Sequence, residues 1–476
     1  MTSSAPRRSG LPSFVRRIHF YAGMFVAPFI LIAALSGALY AVAPTLENIV
    51  YHDTLHVADQ STDVSLAEQV ETAHATHPGM GIAQVWPAAT GTDTSRVLLI
   101  DESIAANKEL RSVFVNPHTG EVTGDEPSYS GLGELPLRHW ISALHKSLHL
   151  GEPGEMYSEL AASWLWVVSL GGLYLWWRMA GRRVFAGLTR RTGRRRGVLN
   201  LHGVAGTWLL VGMLALSVTG ITWSMYGGAN VNRTVDALGM KAKPIETALV
   251  SDAPSAGGSE HAEHSGHSGH SGHGPAPLSA GDIAGQAQTV LDAARTEGLT
   301  GPVRLLVPED SAHAWQASER WVPWRYTSDA VSVNGTTGEV VDTLPFRDLP
   351  VFSKLTSWGI YLHMGIMFGL PLQIALLAVA LGICAMVVLG YMMWWRRRPT
   401  KNAAAGVPGC NHLTGADWAA IAVFGLAVGL FLPLFGVSFA AMVVADRLLA
   451  ARARRATPVE QGEEDEVGTA PAPVRA

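Results

Sequence analysis

The sequence predicts a membrane protein with an all-α four-helix core, formed by a tandem two-helix duplication, and two small α+β modules on one side. Four apolar runs approach the ~20 residues that a helix needs to cross a membrane. Long polar segments separate them, and the second half of the chain repeats the order helix, module, helix. The net charge of −4 gives no reason to expect a nucleic-acid partner.

The four apolar runs lie at residues 20–43, 159–177, 208–226 and 369–395. Basic residues are concentrated before the first run, between the second and third, and after the fourth. Because such loops stay in the cytoplasm, the polar segments between the runs are expected outside. The first run is longer than a signal peptide and lacks a convincing cleavage motif. It is therefore interpreted as a retained anchor with a cytoplasmic N-terminus.

A fifth apolar region, residues 418–444, contains Pro433 near its middle. This region is either one kinked helix or a hairpin. A single crossing would leave Arg447 and the arginines after it outside, against the charge rule, so the hairpin is favoured. The acidic tail that follows is expected to be disordered.

Both outer segments follow one plan, in which a helical stretch precedes strand-like runs and a hairpin. The hairpin turns contain Asn-x-x-Thr-Gly-Glu-Val at residues 116–122 and 334–340. Gly and Asn tolerate the backbone angles of tight turns, so each motif predicts a β-hairpin.

A Gly- and Ser-rich linker before the second module carries a run of closely spaced histidines. They are His261, His264, His267, His270 and His273. Neutral imidazoles on a flexible chain bind borderline metals such as Cu(II), Ni(II) and Zn(II), and iron is a further candidate. The linker is therefore either a metal-binding segment or a plain tether.

The first copy of the repeat follows a cytoplasmic N-terminus, 1–18, and comprises the first membrane helix, 19–44, the first outer module, 45–138, and an outer Leu-His element with the second membrane helix, 139–178. After an Arg-rich cytoplasmic loop, 179–198, the second copy comprises the third membrane helix, 199–227, the His-rich linker, 228–277, the second outer module, 278–350, and the second Leu-His element with the fourth membrane helix, 351–396. A cytoplasmic loop, 397–416, the C-terminal hydrophobic region, 417–446, and a disordered tail, 447–476, are predicted to follow.

The internal repeat selects four histidines. His19 matches His202, and each is followed 18 residues later by a glycine, Gly37 or Gly220. Residues 140–153 align without a gap with residues 358–371, and this alignment matches His145 with His363. In the same alignment His149 falls opposite a methionine and His139 opposite a serine. These two are secondary candidates.

Both copies enter the membrane in the same direction, which relates them by a pseudo-two-fold axis along the membrane normal. Such an axis would bring His19 to face His202 near the cytoplasmic edge, and His145 to face His363 near the outer edge. Facing histidines inside a helix bundle are typical axial ligands of electron-transfer haems, so two b-type haems are predicted. A proton or metal-ion path, or a structural role, remains open. No CxxCH motif for covalent haem occurs.

Glycines also recur beside these histidines in the repeat. They are Gly23, Gly37, Gly206 and Gly220. They would let a porphyrin face approach the backbone, or they would serve ordinary helix packing.

Three motifs bear a family resemblance: Arg16-x-x-His19-x-Tyr21-x-Gly23, the Leu-His elements at 144–145 and 362–363, and the Thr-Gly-Glu-Val hairpins. Over residues 10–400 the chain resembles the PepSY-associated transmembrane helix family, whose members include iron-regulated membrane proteins and inner-membrane ferrisiderophore reductases. The resemblance implies PepSY-like outer modules and a bacterial plasma membrane location. For the reductase members it implies two b-type haems that carry electrons to ferric chelates. It assigns the ligand roles to the four duplicated histidines.

The expected function is a transmembrane electron conduit, a metalloreductase without an assigned catalytic residue. An electron donor from another component (a flavin, a pyridine-nucleotide system or a quinol) would deliver electrons at the His19/His202 pair. They would leave from the His145/His363 pair to a ferric chelate outside. No GxGxxG motif at a strand–helix junction indicates a nucleotide site of its own.

Alternative functions remain open at this stage. They are a reductase of copper or another metal, a metal transporter or metal-handling accessory, and a non-enzymatic PepSY-type protein that binds a partner or restrains a protease. Arg138, Trp140, Trp358 and Tyr361 lie near the outer histidines in sequence. They either meet an anionic or aromatic chelate or belong to an interfacial aromatic belt.

Overall fold

The computed structural model describes residues 10–60, 62–105, 109–129, 131–187, 194–249, 277–396 and 413–455. The helices are α1 (Leu11–Phe25), α2 (Ala27–Val50), α3 (His52–Leu55), α4 (Leu66–Thr76), α5 (Pro136–Ser147), α6 (Glu152–Ala180), α7 (Arg194–Thr222), α8 (Met225–Ala237), α9 (Ala280–Thr296), α10 (Val351–His363), α11 (Leu370–Trp395), α12 (Gly415–Phe431) and α13 (Pro433–Arg455). The strands are β1 (Gly81–Trp86), β2 (Ser95–Ile100), β3 (Glu109–Val115), β4 (Val122–Tyr129), β5 (Val303–Leu306), β6 (Trp315–Glu319), β7 (Ala330–Val333) and β8 (Val340–Leu344).

Four helices in the described part of the chain are long and apolar enough to cross a membrane. They are Ala27–Val50, Glu152–Arg183, Gly197–Thr222 and Leu370–Trp395. Helix α2 packs against α11 and α6, and α7 packs against the same two helices, so the four form a bundle. Apolar side chains such as Val211 stay exposed on the outside of the bundle, as a lipid-facing surface requires. The four predicted apolar runs thus form the membrane core.

The second and fourth membrane helices begin in the same way. Gly151 precedes α6 with φ +62°, and Gly369 precedes α11 with φ +57°. Glycine tolerates this left-handed conformation, and the proline that follows each one fits the first turn of a helix. The short helices α5 and α10 end a few residues before these glycines, at Ser147 and His363, so His145 and His363 lie in their last turns.

The outer segments together form one antiparallel sheet of eight strands in the order β4-β3-β2-β1-β5-β6-β7-β8. Each segment supplies a helix and a four-stranded meander that contains the predicted hairpin. The meanders join through β1 and β5, where Val85 lies opposite Leu305. Helices α4 and α9 cover one face of the sheet and share one apolar core with it. The modules expected from the sequence therefore share a single sheet and core.

The region predicted as the start of the linker contains a helix. Helix α8 begins with a Ser224 cap. The Glu159 carboxylate, which is fully buried, accepts hydrogen bonds from the backbone N–H groups of Tyr226 (2.8 Å) and Gly227 (3.1 Å). A carboxylate is favourable at a helix N-terminus, where N–H groups lack partners. The histidine run at 261–273 lies outside the described residues.

The C-terminal apolar region folds into two helices, α12 and α13, that pack against each other. They approach so closely that the Gly429 and Gly436 backbones are in contact. Asp417 at the start of α12 accepts a hydrogen bond from Gly10 N–H, and Asp446 near the end of α13 pairs with Arg17. Both arms therefore end beside α1, which is the arrangement of a hairpin.

The sequence predicted a disordered tail from residue 447, but α13 continues to Arg455. The Arg447 guanidinium lies 4.7 Å from the centre of the Trp418 ring. This cation–π contact and the run of Leu, Ala and Arg, which are good helix formers, extend the helix beyond the predicted hydrophobic region. Residues 456–476 lie outside the described part.

Candidate functional site

His145 and His363 face each other on the side of the bundle nearest the sheet. Their ring centres are 6.3 Å apart and the ring planes are inclined by 41°. One comes from the last turn of α5 and the other from the last residue of α10. The structure thus brings together the two histidines that the repeat aligns.

A hydroxyl group on a neighbouring membrane helix orients each of these rings. Nδ1 of His145 lies 3.1 Å from Ser36 Oγ, and Nδ1 of His363 lies 2.6 Å from Thr219 Oγ1. Each hydroxyl donates its own proton to a backbone carbonyl of its helix. It must therefore accept from the ring, so Nδ1 carries the proton and Nε2 keeps a lone pair. This is the tautomer that binds a metal through Nε2.

Both rings of this pair are neutral at physiological pH. Burial lowers the pKa of His145 to about 4 and the pKa of His363 to about 3, because an apolar environment penalises the charged imidazolium. Neutral imidazole is the form that serves as a metal ligand.

The second pair, His19 and His202, lies at the far end of the bundle from the sheet. The two residues are close enough to interact electrostatically. Nδ1 of each ring is buried without a hydrogen-bond partner of normal geometry among the described residues. The nearby backbone carbonyls are those of Val168 for His19 and Met386 for His202. Val168 and Met386 occupy the same position in the two copies of the repeat.

This donor set fits haem. Two neutral imidazoles that face each other inside a helix bundle could hold one haem iron. The observed separation of His145 and His363 is 6.3 Å. Protonation at Nδ1, held by Ser36 and Thr219, matches the usual fixation of a metal-bound histidine by a second hydrogen bond. Among the described residues, no group of three or more His, Cys, Asp or Glu side chains could hold a metal ion.

A glycine lies under one ring of each pair. A Cβ at Gly37 would be 3.0 Å from His145 Cε1, and a Cβ at Gly172 would be 3.0 Å from His19 Cε1. Only a residue without a side chain leaves these rings where they are. The sequence singled out Gly37 but missed Gly172, although Gly172 and Gly390 occupy equivalent positions of the repeat.

The other predicted glycines do not touch a histidine ring. Gly206 faces the Met386 side chain and Gly220 faces Ala162, whereas no atom lies within 4 Å of a Cβ built at Gly23. For Gly206 and Gly220 the structure thus agrees with helix packing.

The secondary histidine candidates lie away from the facing pairs. His149 is exposed beyond the end of α5, has φ +56°, and packs on Trp140 with ring centres 4.9 Å apart. His139 stacks on Tyr129 at 5.2 Å and approaches Glu109.

A buried polar cluster adjoins His145. The Tyr40 ring stacks on His145 at 6.1 Å and its hydroxyl donates to Glu134 (2.8 Å). Arg138 lies between Glu134 (3.3 Å) and Glu47 (3.7 Å). Arg138, which the sequence offered as a contact for a chelate, is thus held by two carboxylates. Sequence reasoning missed Tyr40, because a tyrosine in an apolar run carries no distinctive signal.

A family model described as the PepSY-associated TM region matches residues 16–397. The chain belongs to this family. The match includes all four membrane helices, both halves of the sheet and the four duplicated histidines. In this PepSY-associated TM protein the α12–α13 hairpin lies beyond the matched region. A comparison with curated proteins finds no match.

Proposed function

We propose that this PepSY-associated TM protein is a membrane electron conduit that binds two b-type haems and reduces a ferric chelate outside the cytoplasm. The observation that carries the proposal is the facing pair His145 and His363, with ring centres 6.3 Å apart and each Nδ1 tied to a hydroxyl. His145 and His363 would hold a haem iron, which would supply one-electron transfer.

The protein's own groups prepare this site before any cofactor arrives. Ser36 and Thr219 fix the ring tautomers, and Gly37 gives the His145 ring its space. Preorganised ligands lose less freedom when the metal binds, which strengthens retention.

The positions of the two pairs support transfer across the membrane. His145 packs on Gly37, which is 18 residues after His19. Eighteen helical residues rise by at most about 27 Å, and His19 and Gly37 lie on the two consecutive helices α1 and α2. The two pairs are therefore separated by much of the ~30 Å of a hydrocarbon core. The basic loops favour a cytoplasmic position for the His19/His202 pair. An external flavin, pyridine-nucleotide or quinol system would then supply electrons there, and the sheet side would face the chelate.

The test is a reduced-minus-oxidised visible spectrum of the full-length protein, purified in detergent from haem-replete cells. We expect the bands of low-spin bis-histidine haem. The His363→Ala variant should lose the signal of one haem and keep the other. The His149→Ala variant, which removes an exposed histidine of the same segment, should keep both.

A colourless, iron-free preparation from such cells would overturn the proposal. Binding of Cu(II) or Zn(II) by that preparation without any redox change would favour direct metal handling by the histidines instead. A haem-loaded protein that reduces cupric but not ferric chelates would keep the conduit and change its substrate.

A further inference from the structure

A row of large side chains crosses the sheet at the junction of its two halves, on the face opposite α4 and α9. Trp86 of β1 lies opposite Arg96 of β2. On its other side, the antiparallel register of β1 and β5 places Arg304 beside Trp86. The guanidinium of Arg320, just after β6, lies 4.2 Å from the centre of the Trp86 ring, and that of Arg96 lies 4.9 Å from it.

These three arginines concentrate positive charge around Trp86. Within the part of the chain that the structure describes, none of the three forms an ion pair. Arg96 donates to the Gly133 carbonyl (2.7 Å), and Arg304 donates to Ser318 Oγ (2.9 Å) and the Gly131 carbonyl (3.1 Å). No side-chain hydrogen bond is found for Arg320 among the described residues.

The charge of Arg320 is only partly compensated. Burial first, and then the charges of Arg96 and Arg304, lower the pKa of Arg320 to about 9, although the carboxylate of Asp93 acts in the opposite direction. A partly buried cation among like charges is destabilised, and a bound anion would remove that penalty. Cation–π contact with Trp86 holds the guanidinium groups but leaves their N–H donors for another acceptor.

The arginine row is connected to both helices that carry the histidines nearest the sheet. In the loop after β6, Trp321 follows Arg320 and stacks on Tyr361 with ring centres 4.1 Å apart. Tyr361 is two residues before His363 on α10. On the other side, Arg96 binds the Gly133 carbonyl in the segment that leads into α5. The positive surface therefore lies between the sheet and the bundle, next to the exit side of the proposed conduit.

We propose that Arg96, Arg304 and Arg320 form the binding site for an anionic metal chelate of the tris-catecholate class. This inference rests on the proposed function, because it supplies the substrate position for that reaction. A trianionic tris-catecholate complex matches three guanidinium groups in charge, and arginine binds paired oxyanions with two N–H groups at once. Clustered positive charge also raises the local concentration of such an anion.

The experiment measures binding of the gallium(III) tris-catecholate complex to the full-length protein in detergent, by tryptophan fluorescence. Gallium(III) has the charge and size of iron(III) but is not reduced, so binding is separated from electron transfer. We expect Arg320→Gln to weaken binding at least tenfold, Arg320→Lys to weaken it less, and added salt to weaken the wild type. The Arg347→Gln variant removes an exposed arginine that follows β8 and should bind like the wild type.

Unchanged binding in both Arg320→Gln and Arg304→Gln, with monodisperse elution of each variant, would overturn the site. So would equal binding by the wild type of a neutral gallium(III) trihydroxamate, a comparison that needs no variant. If Arg320→Gln instead changes the haem spectrum and leaves chelate binding intact, the arginines serve the haem carboxylates and the proposal is wrong.

The two proposals fail in different ways. A haem-loaded protein that does not bind the gallium complex contradicts only the chelate site. A haem-free protein whose binding of the complex is lost in Arg320→Gln contradicts only the conduit.

Discussion

Ser36 and Thr219 show how one hydroxyl can set the chemistry of a histidine ring. Each donates its proton along its own helix and accepts from Nδ1 of the ring, at 3.1 Å for His145 and 2.6 Å for His363. Because Nδ1 carries the proton, Nε2 of the same neutral ring is an acceptor. The sequence displays these hydroxyls at equivalent positions of the repeat, but their role depends on distances between separate helices.

At this scale we predict that Gly37→Ala weakens retention of the cofactor held by His145. The new methyl group would lie 3.0 Å from His145 Cε1, so the ring must shift by a few tenths of an ångström. Changing a group that orients a metal ligand typically costs about 10–100-fold in metal affinity. The measurement is haem content per protein after dialysis against a haem-binding scavenger.

Gly23→Ala is the matched control for this change. A Cβ at Gly23 meets no atom within 4 Å, so this variant should retain haem like the wild type. Equal retention by the two variants would show that the Gly37 contact does not position the ring.

The facing of two histidines was predictable where the internal repeat aligns them. The alignment of His145 with His363 needed only matching spacing, and the structure brings the two rings together. Gly172 and Tyr40 were not found, since a glycine or tyrosine in an apolar helix looks the same whether it meets lipid or a histidine. The arginine row was hidden for another reason: Arg96 faces Trp86 through the local pairing of β1 with β2, but Arg304 becomes a neighbour of Trp86 only when β1 pairs with β5.

Among the elements, the α12–α13 hairpin is the addition that lies beyond the matched family region. Its position depends on a buried ion pair between Arg17 of α1 and Asp446 of α13, and the Tyr21 hydroxyl also donates to Asp446 (2.9 Å). Arg17 and Tyr21 flank His19 on the same helix. The hairpin therefore braces the helix that carries one histidine of the far pair.

We predict that Asp446→Asn destabilises the protein by about 3–5 kcal/mol, because it removes the carboxylate from the buried ion pair with Arg17. Thermal unfolding in detergent, followed by helical circular dichroism, measures the loss. The double variant Arg17→Leu with Asp446→Leu should recover most of it, since no unpaired charge remains.

The exposed pair of Asp236 and Lys241, 3.6 Å apart, provides the control. Asp236→Asn should change stability by less than about 1 kcal/mol, as is usual for surface ion pairs. Equal effects of the two single substitutions would mean that the Arg17–Asp446 pair does not fasten the hairpin.

On the scale of the whole molecule, the decisive contact is the pairing of β1 with β5. It converts two meanders from distant parts of the chain into one sheet with one core. Each hairpin was predictable because its turn is a local signal. The pairing of β1 with β5 was not predictable, because the free N–H and C=O groups of a strand edge can pair with any other edge strand.

We predict that Leu305→Ala loosens both halves of the sheet at once. Leu305 is fully buried opposite Val85, and removing its side chain should cost about 2–5 kcal/mol. Amide hydrogen exchange is the measurement, with faster exchange expected in both β2 and β6.

Val122→Ala at the partly exposed Val122 of β4 is the control and should leave exchange in β6 unchanged. Faster exchange confined to the second half after Leu305→Ala would mean that the two halves open independently.

The joined sheet also bears on how the protein avoids self-association. Strands with free edges invite pairing with other chains, which leads to aggregation. Here β1 and β5 satisfy each other's edges, so only β4 and β8 remain at the borders. Strand β4 carries Asp125, Glu126 and Pro127, and β8 carries Asp342, which accepts a hydrogen bond from Glu246 N–H (2.9 Å). Charge and a proline at exposed edges discourage the addition of a further strand. The sheets of neighbouring copies in one membrane are therefore not expected to pair through their edge strands.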